Sequence, residues 1–591
     1  MMPGFFGYIS REKDILEKEL DIYDLIEKKN TLIDEERIVT TPNFNGKFFR
    51  NTVNKFQGDK VFFCKNDIYL ILDGVILNKH ELYKKYEIKE HNITDLLNKM
   101  VAINPKTFYQ EFRGTFAGLY LNKDGMVLYT NHIGDKEIFY HYTEDHRLYF
   151  ATDFEVLIKM VHNHTNKSFE LNTNAAYCLL THSHVLCNET LFNDVYRLTP
   201  GHYLEFSTNR FEKKPYYILN NKSVNLTEEE ALKKIDSLFR QAIKRAFDKD
   251  LEYGYKHLVA LSGGLDSRMT AWVAYDMGYT NMLNYTFSQT DYLDETVPKK
   301  ITSKLKTEWM FKALDNGTYL YKYFIDSIKI SGARSQSSTI AHTMSMISNI
   351  NLNHYGLVHT GQIGDVVIGT FYNNGKRAGF SRGDGAYSNK LIDKVEYTQE
   401  KTFNQEDQEL FKFYNRGFTG VNTGLKPMYQ FTETMSPFLD IDFMDFCLTM
   451  PMEFRRGHNI YIKWINQYYP EAADFIYEKV KGKINRKLIT IKGVPVPWTS
   501  IPSAAVKLLK NRLGLKLKTK NHMHPMEYWY ENNSELRNFY QELYMGSVNL
   551  IKDQELKEDC KKIFQEGSTL EKDQVASILG FLKLMDKYIV R

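Results

Sequence analysis

The sequence predicts two architectures in series. A β-rich α+β half spans residues 1–222, an α/β half with a parallel sheet spans 223–485, and a helical C-terminal extension spans 486–591. Three observations predict this. Short runs of alternating apolar residues, separated by turn residues, fill the first half. From His257 onward, strand-length apolar runs alternate with helical stretches, the signature of a parallel sheet covered on both faces. Between the two, Thr227 and Glu230 have the spacing of a capping box at the head of a long amphipathic helix.

The bulk numbers agree. At 591 residues the chain predicts two to four domains, and 43% hydrophobic with 14% aromatic residues supplies sizeable cores. Net charge is only +4, from 77 basic and 73 acidic residues, so neither nucleic acid nor an anionic membrane is called for. The five cysteines are scattered without a C-x-x-C pair, which argues against a disulfide framework or a zinc site. The start turns polar by Ser10-Arg11-Glu12-Lys13, and no apolar run reaches the roughly 20 residues that span a bilayer. A soluble, cytoplasmic protein is expected.

In chain order, the front strands are Lys60–Cys64, Ile68–Leu72, Thr115–Leu121, Met126–Thr130 and Arg147–Ala151, with Lys123-Asp124-Gly125 as one of the turns. The helix from Thr227 carries one apolar stripe: Leu232, Ile235, Leu238, Phe239, Ala242, Ile243 and Ala246. Strands follow at His257–Leu261, Asn281–Ser288 and Gly356–Thr360. Beyond 485 the pattern is helical, and the basic stretch Lys507–Lys520 reads as a solvated charged face.

The chemistry centres on Ser262-Gly263-Gly264-Leu265-Asp266-Ser267, between the strand ending at Leu261 and the helix opening at Arg268. A Gly-rich strand–turn–helix aims backbone N–H groups at an anion. The glycines allow close backbone approach and the serines add donors. Asp266 is a poor phosphate ligand alone, but suits a phosphate bridged by Mg²⁺. No Gly-Lys-Ser/Thr ends the loop, so it is not of the kinase type. A second strand end, Thr360-Gly361-Gln362-Ile363-Gly364-Asp365, also carries an acid.

The loop resembles the pyrophosphate loop of ATP pyrophosphatases. Together with Met2-Pro3-Gly4-Phe5-Phe6-Gly7, Arg113–Ala117, Gly134-Asp135-Lys136, Phe150-Ala151-Thr152, Leu198–His202, Phe287-Ser288 with Asp294-Glu295, Pro437–Asp440 and Tyr461–Ile465, it is similar in order to the asparagine synthetase family. The resemblance runs from residue 2 to about 485. It implies an Ntn-type αββα sandwich in front and an adenine-nucleotide α-hydrolase-like sheet behind. It also implies an amide-forming ligase using ATP and Mg²⁺, in which a carboxylate attacks the α-phosphate and ammonia or another amine displaces AMP. By resemblance, Leu261, Ser262, Gly263, Gly264, Leu265, Asp266, Ser267, Phe287, Ser288, Gly361 and Gly364 bind ATP or pyrophosphate. Asp266 and Asp365 hold Mg²⁺, while Lys463 and Gln362 are catalytic. Gln362 departs from the acid or tyrosine of relatives: being neutral, it can position a group but cannot act as a base. The expected partners are a small-molecule or peptide carboxylate and an amine donor, and a homodimer is compatible. Aspartate with ammonia is the family's commonest pair. The alternatives are a ring-closing ligase of the β-lactam synthetase or lasso-peptide cyclase type, and an inactive scaffold.

The front half departs further. Relatives that hydrolyse glutamine begin Met-Cys-Gly, and the cysteine is their nucleophile. Pro3 stands there instead, and the first thiol is Cys64. Asp73 replaces the asparagine that donates to the oxyanion, and Val75 replaces the acid that grips the substrate amine. The expectation is a ligase without its own glutaminase.

Overall fold

A computed structural model describes residues 2–11, 20–27, 32–65, 67–90, 92–397, 406–486, 488–491, 494–497 and 519–590. The front strands are β1 (Gly4–Ser10), β2 (Leu32–Thr40), β3 (Asn45–Val53), β4 (Val61–Lys65), β5 (Ile68–Ile76), β6 (Gly114–Asn122), β7 (Gly125–Thr130), β8 (Phe139–Tyr142), β9 (Arg147–Ala151), β10 (Tyr196–Arg197), β11 (His202–Ser207) and β12 (Arg210–Pro215). They form two six-stranded sheets, ordered β10-β8-β9-β1-β3-β2 and β12-β11-β7-β6-β5-β4. Every pairing within them is antiparallel.

Alternation along the strands makes four layers. Phe5 and Ile9 of β1 face Ile71, Leu119 and Leu128 of the other sheet. Phe6 and Tyr8 face the opposite way, onto the helix Phe154–Thr165 through Leu157, Met160 and Val161. On the far side, Leu70, Leu72 and Phe116 pack against the helix Ile93–Ile103 through Leu96, Leu97 and Met100. The period-two rule thus gives each sheet two buried faces, and the expected αββα sandwich results.

The helix Glu228–Glu252 begins at N-cap Thr227, whose side chain and Glu230 satisfy each other's backbone N–H groups in a full capping box. Behind it lie β13 (Lys256–Ala260), β14 (Met282–Ser288), β15 (Glu308–Ala313), β16 (Tyr355–His359) and β17 (Thr434–Met435). Their order is β15-β14-β13-β16-β17 and all pairs are parallel. Chain order reverses at β13, so a crevice opens between the carboxyl ends of β13 and β16, the place where such sheets bind ligands.

The C-terminal region is helical after one correction. A two-stranded hairpin, Leu488–Ile491 with Val494–Pro497, comes first, and the helices Met526–Asn532, Ser534–Ser547, Gln554–Glu566 and Thr569–Met585 follow. Most of the basic stretch Lys507–Lys520, residues 507–518, lies outside the described residues. The last helix wedges into the body of the protein. Its Phe581 ring lies 5.8 Å from Phe154 and 4.9 Å from Phe192, and a Cβ on Gly580 would come within 2.3 Å of Ile328. Among the described residues, no helix is long and apolar enough to cross a membrane.

Candidate active site

The Gly-rich loop joins β13 to the helix Asp266–Asp276 at the mouth of the crevice. Its shape is fixed by its own donors and acceptors. Ser262 N–H donates to Ser267 Oγ at 2.9 Å, the two hydroxyls lie 2.8 Å apart, and Gly263 N–H donates to Asp294 Oδ1 at 2.6 Å. Asp294 is buried, and desolvation pushes its carboxyl up to about 6. The buried Arg268 guanidinium donates to the carbonyls of Gly263, Ala472, Phe475 and Ile476, so it pins the segment after residue 470 against the loop. The first turn of the helix points its N–H groups into the same mouth.

The second strand end comes equally close. A Cβ on Gly361 would lie 2.2 Å from Ser267 N, and one on Gly364 would lie 2.8 Å from both Asp266 Cγ and the Phe438 ring. Only glycine lets the two strand ends meet. Asp365 and Asp266 are thereby neighbours: the Asp365 backbone N–H donates to Asp266 Oδ2 at 3.0 Å, and Tyr461 O–H donates to Oδ1 at 2.9 Å. Burial, then the negative charge of Asp365, push the Asp266 carboxyl up to about 8. Lys479 Nζ lies 3.7 Å from Asp365 Oδ2, with both side chains near half exposure at 47% and 42%. This cation faces outward and offsets only part of the unfavourable surroundings of the Asp266 carboxyl. Two acids with this deficit suit a hard divalent cation completed by phosphate oxygens and water.

Ala260, Leu261, Ser262, Gly264, Asp266, Ser267, Phe287, Asp294, Gly361 and Gln362 are in the wall of a cavity of about 240 Å³. Gly263 and Leu265 are turned away from it. Gly263 packs on the Leu293 carbonyl, and Leu265 is in the hydrophobic core. Ser288 is buried, its hydroxyl donating to the Gln289 carbonyl at 2.9 Å. Gln362 also borders a second cavity and donates from Nε2 to the Val421 carbonyl at 2.9 Å.

Lys463 does not join this group. It lies on the helix Asn459–Tyr468, whose buried face carries Ile460, Tyr461, Trp464 and Ile465. Two residues past Tyr461 is about 200° around a helix, so Tyr461 reaches Asp266 while Lys463 turns outward. It pairs with Glu228 at 2.6 Å. The cation beside the acids is Lys479. Sequence reasoning missed it because it sits in a run, Lys479-Val480-Lys481-Gly482-Lys483, from which local pattern selects no member. Arg268 and Glu478 were missed as well. Glu478 accepts from Tyr292 O–H, and its backbone N–H donates to the Gly263 carbonyl at 3.2 Å.

At the front site, Pro3 is buried and the Met2 backbone N–H donates to Asp153 Oδ2. Asp73 is fully buried and charge-paired: Thr52 O–H donates to it, Lys136 Nζ lies at 2.6 Å and Lys60 Nζ at 3.9 Å. Burial opposes its ionisation, yet the Lys136 and Lys60 charges hold it far below the usual carboxylate range. Lys136 also bonds Glu433 at 2.6 Å, so two acids and two lysines neutralise one another. Val75 is in the apolar core with Leu77 and Phe239.

Against known families, residues 57–217 match the model of a glutamine amidotransferase domain. The front half carries a glutamine amidotransferase-like domain. The match begins beyond Pro3. No curated protein matches the chain. Two solved structures are similar, the allosteric regulatory enzyme of purine biosynthesis and a glutamine phosphoribosylpyrophosphate amidotransferase from B. subtilis complexed with ADP and GMP. Their identities are 11% and 10%, they cover 53% and 52% of this chain and 75% and 85% of their own, and both TM-scores are 0.23. Superposition that loose adds nothing to the strand pairings above.

Proposed function

We propose that the chain is an ATP-dependent carbon–nitrogen ligase of the asparagine synthetase type that has no glutaminase of its own. The observation that carries this reading is the meeting of Asp266 and Asp365 at the switch point of the sheet, beside the Gly-rich loop and Lys479. In the reaction a carboxylate oxygen of the substrate forms a bond to the α-phosphorus of ATP. The bond from that phosphorus to the bridging oxygen breaks, and pyrophosphate leaves. An amine nitrogen then bonds to the carbonyl carbon of the acyl-adenylate, the carbon–oxygen bond to AMP breaks, and the nitrogen gives up a proton.

The loop and helix N–H groups cradle the departing pyrophosphate. Asp266 and Asp365 are the residues that would hold Mg²⁺, which when bound offsets phosphate charge. Tyr461 and the Asp365 N–H fix the Asp266 carboxylate in position. Lys479 is suited to follow the charge that builds on the phosphoryl oxygens. Gln362, at the join of the two cavities, positions a neutral or amine group. The lysine-paired Asp73 and buried Val75 support the absence of glutamine cleavage, because neither can donate to an oxyanion or grip an amine.

The test is incubation with ATP, Mg²⁺ and a panel of carboxylates. Carboxylate-dependent release of pyrophosphate with AMP is expected, and glutamine is expected to yield no glutamate. ADP with phosphate as the products overturns the reading.

A further inference from the structure

The second cavity is larger than the first, about 340 Å³, and is joined to it through Phe287, Thr343, Gln362 and Leu425. Its charge is one-sided. Among the described residues, the wall contains no aspartate or glutamate and a single full cation, Arg416. The histidines in the wall do not change this, since burial holds both His184 and His342 well below their ordinary range and so neutral.

Arg416 differs from the buried arginines. Arg455 is paired with Glu409, Arg197 and Arg334 with Glu137, Arg245 with Asp440 and Asp442, and Arg268 with four carbonyls. Arg416 is half-buried, and its guanidinium lies 5.4 Å from the centre of the Tyr387 ring. Among the described residues, no carboxylate pairs with it and no oxygen accepts a hydrogen bond from it. With no protein acceptor, this half-buried fork is left to water, which an anionic ligand can displace.

The segment that carries it is unusual too. Phe413–Val421 is a π-helix of nine residues, in which Thr419 O–H donates to the Tyr414 carbonyl five residues back. π-helical turns cluster at functional sites. Here the wide turn runs along the cavity: a Cβ on Gly420 would lie 2.9 Å from the His184 ring, while one on Gly424 would meet nothing within 4 Å.

We infer that this chamber receives the part of the carboxylate substrate remote from the reacting carboxyl group, that this part is larger than a free amino acid and carries a second negative charge, and that Arg416 binds that charge. The inference rests on the ligase reading. The volume lies in the range of roughly 300–1,000 Å³ typical of cavities that bury most of a bound small ligand. A guanidinium with its donors unused matches a carboxylate by two parallel bonds. Acids of dipeptide or disaccharide size with a second carboxylate fit both requirements.

The experiment is pyrophosphate release with matched probes: Gly-Glu and Ala-Asp dipeptides and digalacturonate, each beside its mono-amide or monomethyl ester, with free aspartate as the small control. Acids that keep the second charge are expected to have KM about 10–100-fold below their neutral partners and below aspartate. Arg416→Ala should erase that difference while leaving the KM for ATP within about twofold, and Arg416→Lys should restore part of it. Gly424→Phe, which fills the open space, should exclude the large acids and spare ATP binding. Equal use of neutral and charged acids, preference for aspartate, or an unchanged KM in Arg416→Ala overturns the inference and leaves the ligase reading standing. Should no acid release pyrophosphate, the ligase reading falls, and crystals soaked in selenate decide the site. A selenium peak on Arg416, lost in Arg416→Ala crystals, keeps an anion site there; its absence removes it.

Discussion

The front site and the loop site are both built around acids, Asp73 inside β5 and Asp266 at the head of the helix after β13, and they have opposite fates. Around Asp73 the charges cancel: Lys136 joins Asp73 to Glu433, and Lys60 stands on the other side. Around Asp266 they do not: Asp365 adds a second negative charge and Lys479 sits outside. Cancelled charge makes a rigid joint. Burial and the neighbouring acid instead raise the Asp266 carboxyl to about 8, the kind of perturbation that marks a candidate functional site.

The strongest way to break this comparison is to replace that acid. Asp266→Asn should lower carboxylate-dependent pyrophosphate release by about 10³-fold while the melting temperature holds or rises, since the variant removes a carboxyl whose charged form is already disfavoured by its surroundings and by Asp365. An active Asp266→Asn protein would mean that the acids are structural.

The converse change comes next. Asp73→Asn should cost about 3–5 kcal/mol of stability by urea unfolding, because Lys136 and Lys60 lose their central partner. Pro3→Cys alone should give no glutamate from glutamine. Asp73 would still be tied to Lys136 and Val75 would still be apolar. Measurable glutamate release would show that the pocket is less altered than its charges indicate.

Lysine identity sharpens the comparison further. Lys479→Ala should lower pyrophosphate release by about 10²-fold. Lys463→Ala should change it less than about twofold, because its partner is the surface acid Glu228. The reverse ranking, read by the same assay, would return Lys463 to the site.

These pairs also mark what the sequence could reveal. Local patterns were legible: the capping box at Thr227, the strand Arg147–Ala151 and the Gly-rich loop all depend on residues a few positions apart. Long-range pairings were not. Lys136 meets Glu433 across 297 positions, and no periodicity encodes that. The helix Thr569–Met585 is buried nearly all round, so its apolar residues give no single stripe that points to Phe154 and Ile328 as neighbours. Lys463 stands apart from the acids because helix phase, not motif order, decides which side chain turns inward.

The smallest effect tests the same contrast at two other buried acids. Glu137 is buried among Arg197, Arg334 and Lys426; burial opposes its ionisation, but Lys426 and the two arginines hold its carboxyl down at about 2. Asp573 is buried with hydroxyl donors, Tyr540 at 2.7 Å and Ser338 at 3.0 Å, and desolvation pushes it up to about 6. A lowered folded value gives stability that is present above the unfolded value and fades only as pH falls toward about 2, so the cost of Glu137→Gln should be flat between pH 5 and 7. A raised folded value gives stability that is present below the unfolded value and fades as pH rises through about 6. Wild type should therefore lose about 1 kcal/mol relative to Asp573→Asn over that same span. Urea unfolding at both pH values reads the two slopes. Equal slopes would mean that cation pairing does not separate the two kinds of buried acid in this protein, and the contrast between its front and loop sites would need another cause.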